Sequence, residues 1–335
     1  MPTYILGIES SCDDTSASVL CDGKILSNLV ANQEIHKSYG GVVPELASRA
    51  HQQNIIPVVN QAISKANIDK NQLKAIAYTR GPGLLGSLLV GSSFSKSFSM
   101  GLEIPLIEVN HMQAHLLVHF IDDLSIEKPP FPFIGVNISG GHTQIVLVKN
   151  YFDMEVIGHT LDDAIGETFD KCGKMMGLNY PAGPIIDKNS KLGDFDKFKF
   201  TKPKVDDLNF SFSGLKTGFL RFIEKESMLN SDFVSNELNN LCASLQNTII
   251  EILFDKVINA IKSTGIKSVV FGGGVSCNSG IIKKFKNKKN DFKAFFPKFE
   301  YTTDNAAMIA MVGYLKFQNN LFSNLEKGAK SRYKI

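Results

Sequence analysis

Two glycine turns, each set directly after an apolar strand, constrain this chain more than any other feature. Ser139-Gly140-Gly141-His142-Thr143 follows the apolar run 133–138, and Gly272-Gly273-Gly274 follows the run 268–271. Glycine lets the backbone turn with φ > 0 and approach a ligand closely, so that exposed N–H groups cradle anionic oxygens. A single such turn fits any tight hairpin. Two in one chain predict a cleft with phosphate on one wall and a nucleoside on the other.

The grammar around the first turn occurs twice. Residues 4–8 read as a strand, Glu9-Ser10-Ser11-Cys12-Asp13-Asp14-Thr15 as a polar turn, and 16–20 as a returning strand; residues 133–157 repeat that order. This predicts two lobes, each opening with a β-hairpin whose turn faces a shared cleft, and 335 residues are enough for both. Pro129, Pro130 and Pro132 stiffen the junction. A helix is expected over 44–65, with Leu46, Ala47, Ala50, Ile55 and Val58 at helical spacing and Pro57 as a kink point. A strand is expected over 73–78, and helices over 84–100, 238–262 and 305–317. The small residues of 84–100 (Gly86, Ser87, Gly91, Ser92, Ser95) suit either a dimer face or packing within the lobe. Strands alternating with helices give an α/β class.

Composition excludes some functions. No run approaches the roughly 18 apolar residues of a membrane span, and Met1-Pro2-Thr3-Tyr4 lacks the basic start of a signal peptide. Five scattered cysteines without a C-x-x-C pair point to a reducing, cytoplasmic setting rather than a disulfide scaffold. The net charge of +3 is too small to mark a nucleic-acid binder by itself. Two basic runs are local: Lys188, Lys191, Lys197, Lys199, Lys202 and Lys204 interleaved with Phe195, Phe198 and Phe200, and residues 283–289. Each fits an RNA-binding surface or a solvated lysine-rich face.

His111-Met112-Gln113-Ala114-His115 carries the sharpest chemical signal. On a helix capped by Asn110, positions i and i+4 share a face, so both imidazoles reach one ion. Asp304 is the expected third ligand; it is also placed to cap the helix that follows. Two histidines and a carboxylate suit Fe(II) or Zn(II) with open positions. A zinc protease needs Glu directly after the first histidine; Met112 stands there, so peptidase chemistry is not expected. Asp163, Glu167 and Asp170 have the spacing of one helical face, either solvated or gathering cations and hydroxyls, and Asp170 and Asp187 suit ribose hydroxyls.

With these motifs assembled, the chain resembles the TsaD/Gcp family of tRNA N6-adenosine threonylcarbamoyltransferases, of bacterial type, over nearly its whole length. The matching segments are residues 7–15, 39–49, 81–84, 111–115, 139–143, 162–171, 210–217, 272–278 and 303–305. The resemblance implies the duplicated actin-like, sugar-kinase-like, Hsp70-like fold. It implies an N-terminal lobe over 1–129, a second lobe over 130–303 with a tRNA-facing insert around 188–217, and a closing helix and basic tail over 304–335. It implies transfer of threonylcarbamoyl from threonylcarbamoyl-adenylate to N6 of adenosine 37 in tRNAs reading ANN codons, releasing AMP. The metal ligands fall on His111, His115 and Asp304. The adenylate positions fall on Asn137, Ile138, Ser139, Gly140, Gly141, Asp170, Gly183, Asp187 and Asn278. Amides of Ser139, Gly140 and Gly141 would hold the phosphate, and Asp13 would accept or orient the proton of the amine. The partners implied are the inactive paralogue TsaB and the ATPase TsaE, in the cytoplasm. One departure stands out: the usual Glu-Gly between the histidines is Gln113-Ala114 here, removing a carboxylate from beside the ligands. A small-molecule kinase of the same fold with Asp13 as base, or a silent nucleotide-binding scaffold, would not need the histidine pair.

Overall fold

The computed structural model describes residues 1–125, 127–287 and 291–335. They form two units, Met1–Pro129 with Pro297–Ile335, and Pro130–Phe296. No helix among the described residues is long and apolar enough to cross a membrane.

The first unit opens with the strands β1 (Tyr4–Glu9), β2 (Thr15–Cys21) and β3 (Lys24–Ala31), which form an antiparallel meander through the Asp22-Gly23 turn. Helix α1 (Pro44–Lys65) follows, then β4 (Leu73–Gly81), α2 (Leu85–Leu102) and β5 (Leu106–Asn110). The sheet order is β3-β2-β1-β4-β5, with β4 parallel to both β1 and β5. Alternating side chains divide β1 between two faces. Leu6 and Ile8 pack with Ile55, Val58 and Val59 of α1. Strand β4 runs three residues beyond the apolar stretch, because Thr79 donates to Glu9 (2.6 Å) and Arg80 pairs with Glu108 (2.7 Å). The small residues of α2 turn inward: a Cβ on Gly91 would lie 2.1 Å from Ser10 Oγ, and Ser87 bonds to the carbonyl of Cys12. Helix α3 (His111–Leu117) closes this stretch.

The second unit repeats the plan. Strands β6 (Phe133–Ile138), β7 (Thr143–Val148) and β8 (Met154–His159) form the meander; β9 (Ser268–Gly272) and β10 (Lys293–Phe295) extend it in parallel. The order is β8-β7-β6-β9-β10, the topology of the first sheet. Its helices are α4 (Ile165–Met175), α5 (Ala182–Ser190), α6 (Ser213–Leu229), α7 (Phe233–Thr264) and α8 (Ser279–Phe285). Helix α7 starts five residues before the amphipathic stretch, where Phe233 packs against Phe198 and Glu237 pairs with Lys197. Asp163 lies ahead of α4 rather than on it, and two of the three acids find cations within the fold: Lys171 meets Asp163 and Glu167, and Lys216 meets Asp163.

The chain then returns to the first unit as α9 (Ala306–Gln318), laid across β1 and β4 on the face opposite α1. Missing side chains set this contact. A Cβ on Gly7 would lie 2.5 Å from Ala306 O, and one on Gly313 would lie 2.4 Å from Ala77 Cβ.

Candidate metal centre and glycine turns

Strand β5 ends at Asn110, whose Oδ1 accepts from the amides of Met112 (2.9 Å) and Gln113 (3.2 Å) and so starts α3. One turn of helix then brings His111 Nε2 and His115 Nε2 to 3.2 Å. The cap of α9 is Asn305, which accepts from Met308 N. Asp304 is thereby released from capping, and its Oδ1 lies 3.4 Å from His111 Nε2 and 3.3 Å from His115 Nε2. Ligands about 2.0–2.1 Å from a tetrahedral ion sit about 3.3–3.4 Å from one another. The triangle therefore has the size and donor chemistry of a three-ligand metal site.

Charge supports this fit. Burial alone would push the His111 imidazole down, but the Glu9 and Asp304 carboxylates on either side hold it well above its usual value. Asp304 is raised by burial and lowered more strongly by the two histidines, and ends far below the usual carboxylate range. His115 is pushed down by burial.

Glu9 was not singled out as a site residue by the sequence. It is fully buried, and its carboxylate accepts from Ser11 N (2.5 Å), Thr79 Oγ1 (2.6 Å) and His111 Nδ1 (3.0 Å). With Nδ1 donating to Glu9, Nε2 is the nitrogen turned toward Asp304 and His115, and losing its proton would give the ligating tautomer of carboxylate–histidine–metal triads. Although Gln113 replaces a carboxylate within the motif, Glu9 supplies one from β1. The signal available in the sequence was an acid ending a strand otherwise apolar on both faces, since such a charge requires a partner. His115 Nδ1 is buried with no hydrogen-bond partner among the described residues, so that ring is aimed by packing and by the Nε2 contacts with Asp304 and His111.

Asp13 lies in the turn between β1 and β2, where His51 bonds to Thr15 Oγ1 (2.7 Å) and the carbonyl of Cys12 (3.1 Å). Its neighbour Asp14 was missed in the sequence. Burial, then the charges of Asp13, Asp304 and Glu9, push the Asp14 carboxyl up to about 7. Four carboxylates thus crowd one region, and a bound cation would relieve their repulsion.

In the second unit, parallel pairing sets Asn137 beside Gly272, so the two glycine turns are neighbours at the ends of β6 and β9. Gly273 has φ +88°, and a Cβ there would lie 2.5 Å from Ile138 O. The Ser139 amide closes its own turn onto His142 O (2.9 Å) and is committed, which corrects its expected role as a phosphate donor. Gly140 and Gly141 remain exposed. The first turn of α4 lies against them, since a Cβ on Gly166 would lie 2.7 Å from Gly140 Cα. Asp170 accepts from Ala182 N (2.7 Å) at the start of α5, beside Gly183; burial raises its carboxyl despite that bond. Asp187 accepts from Ser279 N and Oγ, and Asn278 caps α8 and donates to Gln246 (2.7 Å). Next to them is a cavity of about 350 Å³ lined by Ser190, Gln246, Ser279, Gly280 and Lys283.

The lysine–phenylalanine run reads differently in three dimensions. Phe198 and Phe200 pack onto the core with Phe219, Phe222 and Phe233, so they are not stacking platforms. Lys191, Lys197, Lys199 and Lys202 each meet a carboxylate. Lys288 and Lys289 of the second run lie outside the described residues.

The family model described as TsaD, tRNA N6-adenosine threonylcarbamoyltransferase, matches residues 24–311. The chain belongs to this family. It is 62% identical over 333 residues to the tRNA N6-adenosine threonylcarbamoyltransferase of Christiangramia forsetii, covering 99% of this chain and 98% of that one. The transferase of the same name from Riemerella anatipestifer is 59% identical, with 99% and 98% covered, and that of Phocaeicola vulgatus 54%, with both chains fully covered. Among solved structures, HypF of T. kodakarensis matches with a TM-score of 0.64 at 13% identity, over 95% of this chain and 48% of that one. An ADPNP-bound activator of 2-hydroxyisocaproyl-CoA dehydratase from Clostridium difficile matches with a TM-score of 0.50 at 15% identity, over 97% and 99%. These likenesses concern the fold, the duplicated α/β architecture that the transferase family shares with them.

Proposed function

We propose that the chain transfers threonylcarbamoyl from threonylcarbamoyl-adenylate to N6 of adenosine 37 in tRNAs reading ANN codons. The N6 amine attacks the carbamoyl carbon, the bond from that carbon to the phosphate oxygen breaks, AMP leaves, and the amine loses a proton. The observation that carries the reading is the convergence of His111, His115 and Asp304 in a chain 62% identical to a transferase of that name. A kinase or nucleotide scaffold of this fold has no use for that triangle.

His111, His115 and Asp304 would hold one divalent ion, Fe(II) or Zn(II), which when bound supplies Lewis acidity toward the donor oxygens. Glu9 keeps His111 in the tautomer this requires. Asp13 orients the attacking amine, and Asp14, with its carboxyl near neutrality, is suited to take its proton. The exposed amides of Gly140 and Gly141 receive the phosphate. Asp170, Gly183 and Asp187, the last fixed by Ser279, would face the ribose; Gly273 and Gly274 with Asn278, which is joined to Gln246, would hold the base end. A stacked adenine amine is a weak nucleophile, so alignment supplies much of the rate. The working setting is cytoplasmic, with TsaB and TsaE as partners.

The test combines the purified chain, its partners, threonylcarbamoyl-adenylate and an unmodified tRNA, and reads the digested nucleosides by mass spectrometry. Threonylcarbamoyladenosine that vanishes with Asp304→Ala is the expected result. A phosphorylated product, or tight ATP binding without turnover, would replace this reading with the kinase or the scaffold.

A further inference from the structure

We propose that Lys330, Arg332 and Lys334 form the surface on which the tRNA backbone lands beside the metal centre. The proposal rests on the tRNA-transferase reading above and assigns a place to its macromolecular substrate.

The segment carrying these residues has no regular secondary structure, yet polar contacts fasten it at several points. Lys330 N donates to Arg80 O (2.8 Å), Gly83 N donates to Ser331 O (3.2 Å), and Arg80 Nε donates to Gly328 O (2.9 Å). The Arg80 guanidinium lies over the Tyr333 ring, 5.0 Å from its centroid. Asn110 Nδ2 donates to the carbonyls of Tyr333 (3.2 Å) and Lys334 (3.1 Å). A Cβ on Gly81 would lie 1.9 Å from Lys330 O, so the Gly81-Pro82-Gly83 turn fits the segment closely. The backbone is held while Lys330, Arg332 and Lys334 stay exposed, Lys330 Nζ lying over the Tyr333 ring 5.8 Å from its centroid.

These charges differ from other cations of the chain. Arg80 and Lys327 both pair with Glu108, and four lysines of the 188–204 run have carboxylate partners. Lys330, Arg332 and Lys334 are exposed, and among the described residues none of them meets a carboxylate. Fixed, unneutralised cations are the partners that a phosphate backbone recruits.

Their position has an electrostatic reason. The adjoining region contains the carboxylates of Glu9, Asp13, Asp14 and Asp304, whose charges reinforce one another. A polyanion bringing a base to this place is repelled unless cations receive its phosphates. Asn110 joins the two regions, because it grips the cationic segment and immediately precedes His111.

The experiment replaces Lys330, Arg332 and Lys334 together by alanine in the full chain and measures binding of labelled unmodified tRNA between 50 and 200 mM salt. Each lost phosphate contact flattens the log–log salt dependence by about 0.7–0.9, so the slope is expected to fall by about 2–3. Affinity should drop at least ~10-fold at low salt, with KM for tRNA raised, kcat kept and metal affinity unchanged. The control triple, Lys65, Lys70 and Lys74 to alanine, removes the same charge from exposed positions at the start of β4, the end away from Gly81, and should change little. Unchanged tRNA affinity overturns the proposal, as does an equal loss in the control triple. Retained tRNA binding with loss of an acidic protein partner also overturns it, in favour of a protein-docking surface. If the wild type binds tRNA through these residues but makes no threonylcarbamoyladenosine, the functional reading fails and this one stands.

Discussion

Glu9 Oε2 and His111 Nδ1 are 3.0 Å apart in a buried pair joining β1 to the metal-site helix. Because the carboxylate fixes which nitrogen carries the proton, replacing it should be felt at the metal before it is felt in the fold. Glu9→Gln keeps the size and removes the charge. Metal affinity should fall about 10–100-fold, with activity recovered at excess metal and circular dichroism unchanged. An unchanged metal titration would assign Glu9 a packing role only.

Asp304→Asn leaves a side chain of the same shape with a far weaker donor atom. Since Asn305 rather than Asp304 caps α9, the helix should stay formed, and the cost to the metal-free chain should be that of leaving the His111 imidazolium with one carboxylate fewer. Metal content should fall from one ion per chain to a small fraction, and transfer should fall with it. Elemental analysis alongside thermal unfolding separates the two effects; a large stability loss with metal retained would contradict the assignment.

Metal uptake should displace a proton. His111 is held protonated by Glu9 and Asp304 when no ion is present, and only its neutral form ligates. Affinity should therefore rise with pH through neutrality, by up to about tenfold per unit. Stability of the metal-free chain should move the other way. A raised histidine contributes stability that is complete below its unfolded value and is lost as pH climbs toward the folded one. Asp14, raised to about 7, keeps a proton in the native state that the unfolded chain has released, so it too loses stability with rising pH. Between about pH 6.5 and 8 the metal-free protein should weaken, and Asp14→Asn should flatten the lower part of that slope. Denaturant midpoints that rise with pH in this window would refute the argument.

Gly7→Ala tests how the third ligand is placed. The added methyl would lie 2.5 Å from Ala306 O and 2.6 Å from Ala310 N, both backbone atoms that cannot swing aside. Overpacking should cost about 1–3 kcal/mol and move the start of α9 away from β1. Asp304 would move with it, so metal affinity should fall even where the protein remains folded. Calorimetry with a metal titration on the same sample reads both.

The duplicated plan was legible because period-2 apolar runs and glycine turns are local signals, and both hairpins carry them. The His111–His115 spacing and the Asn110 cap were legible for the same reason: each lies within one turn of helix. What escaped was contact across sequence. Glu9 meets His111 from 102 positions away, and nothing in Gly-Ile-Glu-Ser specifies that partner. Asp304 and Asn305 compete for one cap in the sequence, and only tertiary packing decides between them. The lysines of 188–204 read as free charge because their carboxylates lie on α5, on α7 and within the run itself. Phe198 and Phe200 read as exposed because their neighbours are polar, whereas the core that covers them comes from α6 and α7.

Asn110 shows how a distant segment chooses among residues that a helix treats as equals. Asparagine, aspartate and serine cap about equally well, so α3 by itself is indifferent to which of them precedes His111. The carbonyls of Tyr333 and Lys334, 223 and 224 positions further on, are not indifferent. Aspartate would face them with a second acceptor and repel them, and serine is too short to reach both ways. An amide has one accepting end and one donating end, and here the two ends serve different clients. The identity of a local punctuation mark is thus dictated by the last few residues of the chain, and drift at either place is expected to be answered at the other.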